Sequence, residues 1–168
     1  MPCRAQTAAP IELRILAIND FHGALTPPKT SVLVGDGKGG VTQVPAGGAA
    51  WLASAVDSVR NQYPNHLTVS AGDMIGASPL NSALFLDEPT IEAVNAMSID
   101  FNAVGNHEFD KGTDELMRMR HGGCAKFTRL EPCQINRNFS GANFDFLAAN
   151  VKKQDGQTVF PAYGVKTF

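Results

Sequence analysis

Residues 15–23 read ILAINDFHG, an apolar segment that passes directly into a group of polar side chains. Short apolar runs that end in turn residues are typical of buried strands. Two later stretches have the same form, LTVSAGD at residues 67–73 and FNAVGNHE at residues 101–108. Because ligands bind at the carboxyl ends of the strands in open α/β sheets, three polar motifs at three strand ends predict one functional site.

The side chains of these motifs are suitable ligands for divalent metal ions. Asp20 and His22 are two residues apart, so an extended chain would point both of them toward one cation. Asp73 could bridge two metal ions about 3.5 to 4 Å apart, an arrangement that holds a transferring phosphoryl group. Asn106 offers a neutral amide oxygen, which suits a hard or borderline ion. Each motif alone is weak evidence, but together they predict one metal site to which these four residues contribute.

His107 and Asp110 form a candidate catalytic pair. Asp110 follows His107 by three residues and would approach the imidazole if the chain turned at Glu108 and Phe109. An aspartate in this position fixes one imidazole tautomer and stabilises its protonated form. Glu108 has no evident task in catalysis, and we expect it to hold loops together.

Predicted strands and helices alternate along the chain, which favours an α/β fold with a mostly parallel sheet and helices on its faces. In the first helix the residues expected on one buried face are Trp51, Leu52, Ala55, Val56 and Val59, and in the second they are Ile91, Val94 and Met97. Thr113 is a candidate cap for the last helix, which Gly122 and Gly123 would end. The predicted elements are a flexible leader at 1–10, strands at 11–18, 67–70 and 101–104, a β-hairpin at 31–44, and helices at 49–61, 89–97 and 114–120.

Composition limits the possible partners of the chain. Its 168 residues suffice for one ordinary domain. The formal net charge is −2 and the sequence has no basic block, so we do not expect a polymeric nucleic acid as a partner. No apolar run approaches the roughly 18 residues that a membrane-spanning helix requires. We therefore expect neither a nucleic-acid-binding surface nor a membrane span.

Two of the cysteines, Cys124 and Cys133, bracket a short loop that carries lysine and arginine. A disulfide between them would close a loop of about ten residues and stabilise the fold by about 2.7 kcal/mol in the chain-entropy model. Such a bond persists only in an oxidising compartment. Two free thiols in a cytosolic protein remain the alternative, because one pair of cysteines is weak evidence.

Taken together, the motifs resemble the metallophosphoesterase domain of the 5′-nucleotidase family, within the calcineurin-like superfamily. The segments that carry the resemblance are ILAINDFHG at 15–23, SAGDMIGASP at 70–79, GNHEFDKG at 105–112 and FLAANV at 146–151. The resemblance implies an αββα sandwich, a dinuclear metal site, and hydrolysis of nucleoside 5′-phosphates, with a small nucleotide as substrate.

The resemblance also bears on individual residues and on the compartment. It assigns His107 and Asp110 as the dyad that stabilises the phosphoryl transition state and the leaving oxygen. Relatives of this type are typically periplasmic or extracellular, so the resemblance favours export and a disulfide between Cys124 and Cys133. An export signal would then have been removed before Met1.

The chain lacks part of the family pattern. The family completes its metal site with histidines from later strands, whereas no histidine follows His121 here. The substrate-binding domain of relatives has no counterpart either. We therefore expect residues 11–168 to be about the first half of the catalytic domain, inactive alone and able to self-associate through an unpaired sheet edge.

Other functions remain open at this point. UDP-sugars or 2′,3′-cyclic nucleotides are alternative substrates within the same superfamily, and a sulfur-ester hydrolase of similar fold is a further alternative. Asp110 favours a 5′-nucleotidase, because the cyclic phosphodiesterase relatives resemble GNHEFN at this point. A non-catalytic metal-binding module is an alternative of a different class, which loss of the later histidines from the gene would favour.

Overall fold

The computed structural model describes residues 10–29 and 31–168, so residues 1–9 of the predicted leader lie outside the described residues. The strands are β1 (Arg14–Ile18), β2 (Val32–Gly35), β3 (Val41–Val44), β4 (His66–Ser70), β5 (Phe101–Ala103) and β6 (Asp145–Leu147). The helices are α1 (Ala49–Arg60), α2 (Leu80–Ala83), α3 (Glu88–Met97) and α4 (Thr113–His121), with a 3-10 turn at His107–Phe109 before α4.

The main sheet has the strand order β1-β4-β5-β6, and each neighbouring pair is parallel. This arrangement confirms the α/β class with a mostly parallel sheet and helices. The apolar runs of the sequence predict β1, β4 and β5 but not β6, which is only three residues long and begins with Asp145. Because the strands are parallel, the carboxyl ends of β1, β4 and β5 lie at the same edge of the sheet.

The two faces of the main sheet differ in burial. Thr68, Asn102 and Phe146 lie on one face and are at most 1% exposed. Phe146 belongs there to a core that includes residues of α3 and α4. On the opposite face Ile15 of β1 is 58% exposed, because β1 forms an edge of the sheet. β1 is therefore less buried than its apolar run predicts.

Helix α1 packs through part of the predicted face, since Ala55 is exposed. Val56 is buried and Leu52 packs against the core, whereas Trp51 is 56% exposed. The prediction that Trp51 points inward is wrong, since consecutive residues lie about 100° apart on a helix with 3.6 residues per turn. For α3 the predicted inward face is correct, because Ile91 and Val94 are buried. Among the described residues, no helix is both long and apolar enough to cross a bilayer.

Helix α4 begins one residue earlier than predicted. Gly112 occupies the cap position with a φ of 88°, Thr113 is already helical, and no side-chain hydrogen bond caps this end of the described helix. The prediction that Thr113 caps α4 is therefore wrong. Glycine suits the position because it adopts positive φ without a steric penalty. At the other end Gly122 terminates the helix, as predicted.

Arg118 of α4 is buried together with two carboxylates. Its guanidinium lies 2.6 Å from Glu88 and 2.6 Å from Glu115. Burial alone would lower the pKa of Arg118, but the hydrogen bonds and charges of the two glutamates raise it, so the guanidinium stays charged. Glu88 also accepts the backbone N–H of Cys133 at 2.9 Å, and a disulfide joins Cys133 to Cys124. Of the two alternatives left by the sequence, the structure contains the disulfide.

The segment between β1 and α1 contains the predicted hairpin. β2 and β3 pair with each other in antiparallel register. Leu33 and Val41 are 67% and 69% exposed, so much of the apolar surface of the hairpin faces solvent.

Candidate active site

Three loops meet at the carboxyl edge of the main sheet. The loop after β1 pairs with the loop after β4, because the backbone N–H groups of Asp20 and His22 donate to the carbonyls of Gly72 and Asp73 at 3.0 Å each. The loop after β5 joins them through the N–H of His107, which donates to Asp73 Oδ1 at 3.0 Å. The three sequence motifs therefore lie in one small region, as their positions at strand ends predict.

Glycines allow these loops to pack backbone against backbone. A Cβ atom on Gly72 would lie 2.6 Å from the nitrogen of Gly105, and one on Gly105 would overlap Asp73 Oδ1. A Cβ atom on Gly76 would overlap the carbonyl oxygen of His107. Because real side chains do not make contacts this short, glycine is required at each of these positions.

Three of the predicted metal ligands have left-handed backbone conformations. Their φ angles are 52° for Asp20, 46° for His22 and 53° for Asp73. This conformation costs a non-glycine residue about 1–2 kcal/mol and persists only where the surrounding structure imposes it, often at functional sites. The expectation that Asp20 and His22 converge through an extended chain is therefore wrong. Their side chains do meet, with Asp20 Oδ1 3.8 Å from His22 Nε2.

Glu108 ties two of the loops together from below. Its carboxylate is 3% exposed and accepts the backbone N–H groups of Asp73 at 2.9 Å, Met74 at 3.0 Å and Gly105 at 2.8 Å. The side-chain amide of Asn102 donates to it at 3.3 Å. The expectation that Glu108 holds loops together is confirmed by these four hydrogen bonds.

His22, Asp73 and His107 form a cluster that could bind a metal ion. Each residue offers one ligand atom, and these atoms all lie within 4.8 Å of one another. His22 Nδ1 lies 2.9 Å from the carbonyl oxygen of Gly76, which can only accept a hydrogen bond. The proton of the neutral imidazole is therefore on Nδ1, and Nε2 presents its lone pair on the side of Asp20. Neutral imidazole and carboxylate ligands of this kind suit several divalent transition metals.

The 3-10 turn at His107–Phe109 brings Asp110 under the His107 imidazole. His107 Nδ1 lies 2.8 Å from Asp110 Oδ2, the contact expected from the three-residue spacing. This hydrogen bond, opposed by partial desolvation and reinforced by the charges of Asp110, Asp73 and Glu108, raises the pKa of His107 above its ordinary value. The arrangement leaves His107 Nε2 available to a substrate or a ligand.

Asn106 directly precedes His107 and is exposed. It lines an open pocket of about 320 Å³ together with Asn150. A second open pocket, of about 380 Å³, is lined by Asp20 and by the exposed Trp51. Open space therefore lies beside two of the predicted ligands, Asp20 and Asn106.

Sequence reasoning missed two contacts that orient the predicted ligands. One is the Gly76 carbonyl, which fixes the tautomer of His22. The other is the side-chain amide of Asn19, which donates to the Asp20 carboxylate. Both partners lie within or beside the sequence motifs. Every residue has a backbone carbonyl, so residue type does not reveal which carbonyl accepts a hydrogen bond from His22, and the glycine at position 76 is the only signal for this contact.

The sequence profile of the calcineurin-like phosphoesterase family matches residues 13–166, and the chain therefore belongs to this family.

Individual relatives give a more detailed comparison. Over 160 residues the chain is 56% identical to the uncharacterized protein in pqq-V 5′region of Acinetobacter calcoaceticus, covering 93% of this chain and 78% of that protein. It is 38% identical to endonuclease YhcR of Bacillus subtilis, covering 92% of this chain and 12% of that protein. It is 33% identical to the NAD 5′-nucleotidase of Haemophilus influenzae, covering 74% of this chain and 18% of that protein.

The fold is also similar to solved structures. The structure of Haemophilus influenzae NAD nucleotidase (NadN) matches with a TM-score of 0.67 and 26% identity, covering 93% of this chain and 24% of that one. The chain thus spans most of its Acinetobacter relative but a quarter or less of the other proteins compared.

Proposed function

We propose that the intact protein hydrolyses nucleoside 5′-phosphates to nucleoside and phosphate with the help of two divalent metal ions. The observation that carries the proposal is the arrangement of His107, held by Asp110 on one side and next to His22 and Asp73 on the other. Membership of the phosphoesterase family supports hydrolysis of a phosphate ester. Similarity to a NAD 5′-nucleotidase supports a nucleotide as the substrate.

In this proposal Asp20, His22, Asp73 and Asn106 hold the metal ions. The donor set fits such ions, since two carboxylates, one amide oxygen and a tautomer-fixed imidazole are available within and beside one cluster. When bound, the ions would stabilise negative charge on the phosphoryl oxygens and activate water. Residues of the chain do the remaining work.

His107 is the proposed acid-base and electrostatic group. Asp110 orients its imidazole and favours the protonated form, so Nε2 can donate a hydrogen bond to the phosphoryl group or to the leaving oxygen. In the reaction a water oxygen bonds to phosphorus, the P–O5′ bond breaks, His107 gives its proton to the nucleoside O5′, and the proton released by the water restores protonated His107. The pocket beside Asp20 and Trp51 leaves room for the remainder of the substrate.

A phosphodiester is the second candidate substrate. The chain is 38% identical to part of an endonuclease. Of the two smaller alternatives, a 2′,3′-cyclic nucleotide is a phosphodiester, whereas a UDP-sugar contains a diphosphate linkage. The net charge of −2 argues against a polymeric nucleic acid. A non-catalytic module would bind metal at the same cluster without cleaving any of these esters.

We also propose a periplasmic or extracellular location. The disulfide between Cys124 and Cys133 supports it, since structural disulfides persist mainly in oxidising compartments.

Chromatography of the products formed by the intact protein tests the proposed function, because hydrolysis of a UDP-sugar or a 2′,3′-cyclic nucleotide releases no inorganic phosphate. Nucleoside 5′-monophosphates, UDP-sugars and 2′,3′-cyclic nucleotides are compared with Mn²⁺ and with a chelator. We expect metal-dependent hydrolysis, highest kcat/KM for the 5′-monophosphates, and a fall in kcat of about 100-fold or more for His107→Ala. His121→Ala, at the exposed end of α4, is the control and should keep its activity. Metal-independent hydrolysis, or an active His107→Ala variant, would contradict the proposal.

A further inference from the structure

Asp87 is a buried carboxylate that contacts both loops around the histidine cluster. Its side chain is fully buried, and its backbone is left-handed with a φ of 65°. The carboxylate accepts hydrogen bonds from Ser82 Oγ at 2.7 Å, from the backbone N–H of Gly76 at 3.3 Å, and from Lys111 Nζ at 2.5 Å. A buried charge in a strained backbone conformation is costly, so its contacts need an explanation.

The contact of Asp87 with Gly76 leads to His22. Gly76 donates its N–H to Asp87 and accepts the Nδ1–H of His22 with its carbonyl at 2.9 Å. The backbone of Gly76 is also packed so closely against the carbonyl of His107 that it has no room for a side chain. Asp87 therefore holds the residue on which the tautomer of His22 depends.

The contact of Asp87 with Lys111 leads to His107. Lys111 follows Asp110 directly in the chain, and Asp110 holds His107 Nδ1 at 2.8 Å. The ion pair with Asp87 anchors Lys111 on the inner side of this segment, since the Lys111 side chain is 25% exposed and that of Asp87 is not exposed at all. Asp87 thus contacts the partner of His22 directly and reaches the partner of His107 through Lys111.

Asp87 keeps its charge in this environment. Burial by itself would raise the pKa of Asp87, but the charge of Lys111 and hydrogen bonds from Lys111, Ser78 and Ser82 hold the pKa below its ordinary value.

We propose that Asp87 and Lys111 are positioning residues, which fix Gly76 in the loop after β4 and the segment that follows His107, so that Nε2 of both His22 and His107 faces the site. The expected effect of these residues on kcat rests on the proposed phosphoesterase function, whereas their expected effect on the imidazole tautomers does not. Residues that orient ligands in this way commonly change metal affinity or activity by about 10–100-fold when they are altered.

Glu88 provides a matched control in the same turn. It is 2% exposed and pairs with Arg118 at 2.6 Å, so it resembles Asp87 in burial and in having a cationic partner. Its contacts lead instead to Arg118 and to the backbone of Cys133. A change at Glu88 should weaken the fold without disturbing the tautomers of the two histidines.

The experiment compares Asp87→Asn with Glu88→Gln in the 168-residue chain. Long-range ¹H–¹⁵N spectra of the four histidine rings, recorded at about pH 9 where imidazoles are neutral, report which nitrogen carries the proton. We expect a single Nδ1–H pattern for His22 and His107 in the wild type and in Glu88→Gln, and a mixture of tautomers in Asp87→Asn. Equal spectra for the two variants would overturn the proposal.

A second pair of variants covers the case in which Asp87→Asn does not fold. Lys111→Arg keeps the charge and should keep the wild-type tautomers, whereas Lys111→Met should shift them. If both Lys111 variants keep the wild-type tautomers, the positioning role is wrong.

In the intact protein we expect kcat to fall by about tenfold or more in Asp87→Asn and by less than about twofold in Glu88→Gln. A wild-type protein without phosphoesterase activity would refute the proposed function and leave the spectra as the test of the tautomers.

Discussion

The loops after β4 and β5 and the β2–β3 hairpin contain the same turn residues, but these residues have different structural roles. In the loops, a side chain on Gly72 or Gly76 would overlap the backbone of a neighbouring loop. In the hairpin, a Cβ atom on Gly35 or Gly37 would meet no heavy atom of the described residues within 4 Å. Packing therefore requires glycine at positions 72 and 76, whereas no packing contact requires it at positions 35 and 37; at Gly37 the φ of 72° alone favours glycine.

Carboxylates show the same contrast. Glu108 is buried and accepts backbone N–H groups from both loops. Asp36 at the hairpin tip also accepts two backbone N–H groups, those of Lys38 and Gly40, but it is exposed and all three residues belong to one turn. Long-range backbone contacts, and not residue type, therefore distinguish the loops of the candidate site from the hairpin turn.

Replacing the buried carboxylate should have the largest effect on stability. In Glu108→Gln one acceptor oxygen becomes an NH₂ group that faces backbone N–H donors, so we expect the free energy of unfolding to fall by about 3 kcal/mol. Asp36→Asn is the control, with an expected change within about 0.5 kcal/mol because water can replace its bonds. Urea denaturation of both variants measures the difference. Equal losses of unfolding free energy in the two variants would show that the buried and the exposed carboxylate contribute alike.

Adding a methyl group to the site loops should act mainly on activity. Gly76→Ala places a side chain against the His107 carbonyl at a φ of 80°, which must shift one histidine-bearing loop. A displacement of about 1 Å can cost about 100-fold in rate, so we expect kcat of the intact protein to fall by that factor. Gly35→Ala should leave kcat unchanged. A Gly76→Ala variant with wild-type kcat would show that the loops have room to spare.

The disulfide between Cys124 and Cys133 should contribute to stability by closing a short loop. Replacing both Cys124 and Cys133 by serine removes the closure of a short loop, for which the chain-entropy model predicts a loss of about 2.7 kcal/mol. Urea denaturation measures the loss, and mass spectrometry of non-reduced peptides from the exported protein identifies the bond. Two alkylatable thiols in that protein, or unchanged stability of the variant, would contradict the assigned role.

The hairpin should give the smallest effect. Leu33 is 67% exposed, so Leu33→Lys should change the free energy of unfolding by less than about 0.5 kcal/mol. Val94→Ala provides the contrast, because Val94 is fully buried in the core. A loss above about 1 kcal/mol for Leu33→Lys would mean that the hairpin packs against the rest of the chain in solution.

The sequence predicts those features that depend on local pattern. Strand ends place Asp73 and His107 at one edge, and the three-residue spacing predicts the contact between His107 and Asp110. Contacts between distant segments could not be predicted in the same way. Asp87 lies 24 positions from Lys111, and an acidic residue before a helix is common for reasons that involve only the helix.

Some errors came from local patterns that allow two structures. Trp51 and Leu52 are neighbours on α1, and either could belong to the buried face until the position of the sheet is known. The left-handed conformations of Asp20 and His22 are imposed by pairing with the loop after β4, which no spacing in the sequence reveals.

Addition of Mn²⁺ to the 168-residue chain, followed in the NMR signals of its four histidines, tests whether His22 and His107 lie at a metal site. Paramagnetic broadening falls steeply with distance, and it can be detected even if this chain binds the ion weakly. We expect substoichiometric Mn²⁺ to broaden the ring signals of His22 and His107 while those of His66 and His121 stay sharp. His66 begins β4, about 13 Å of strand away from the site, and His121 ends α4. Uniform broadening of all four rings, or earlier loss of His66 or His121, would contradict the assignment of the metal site.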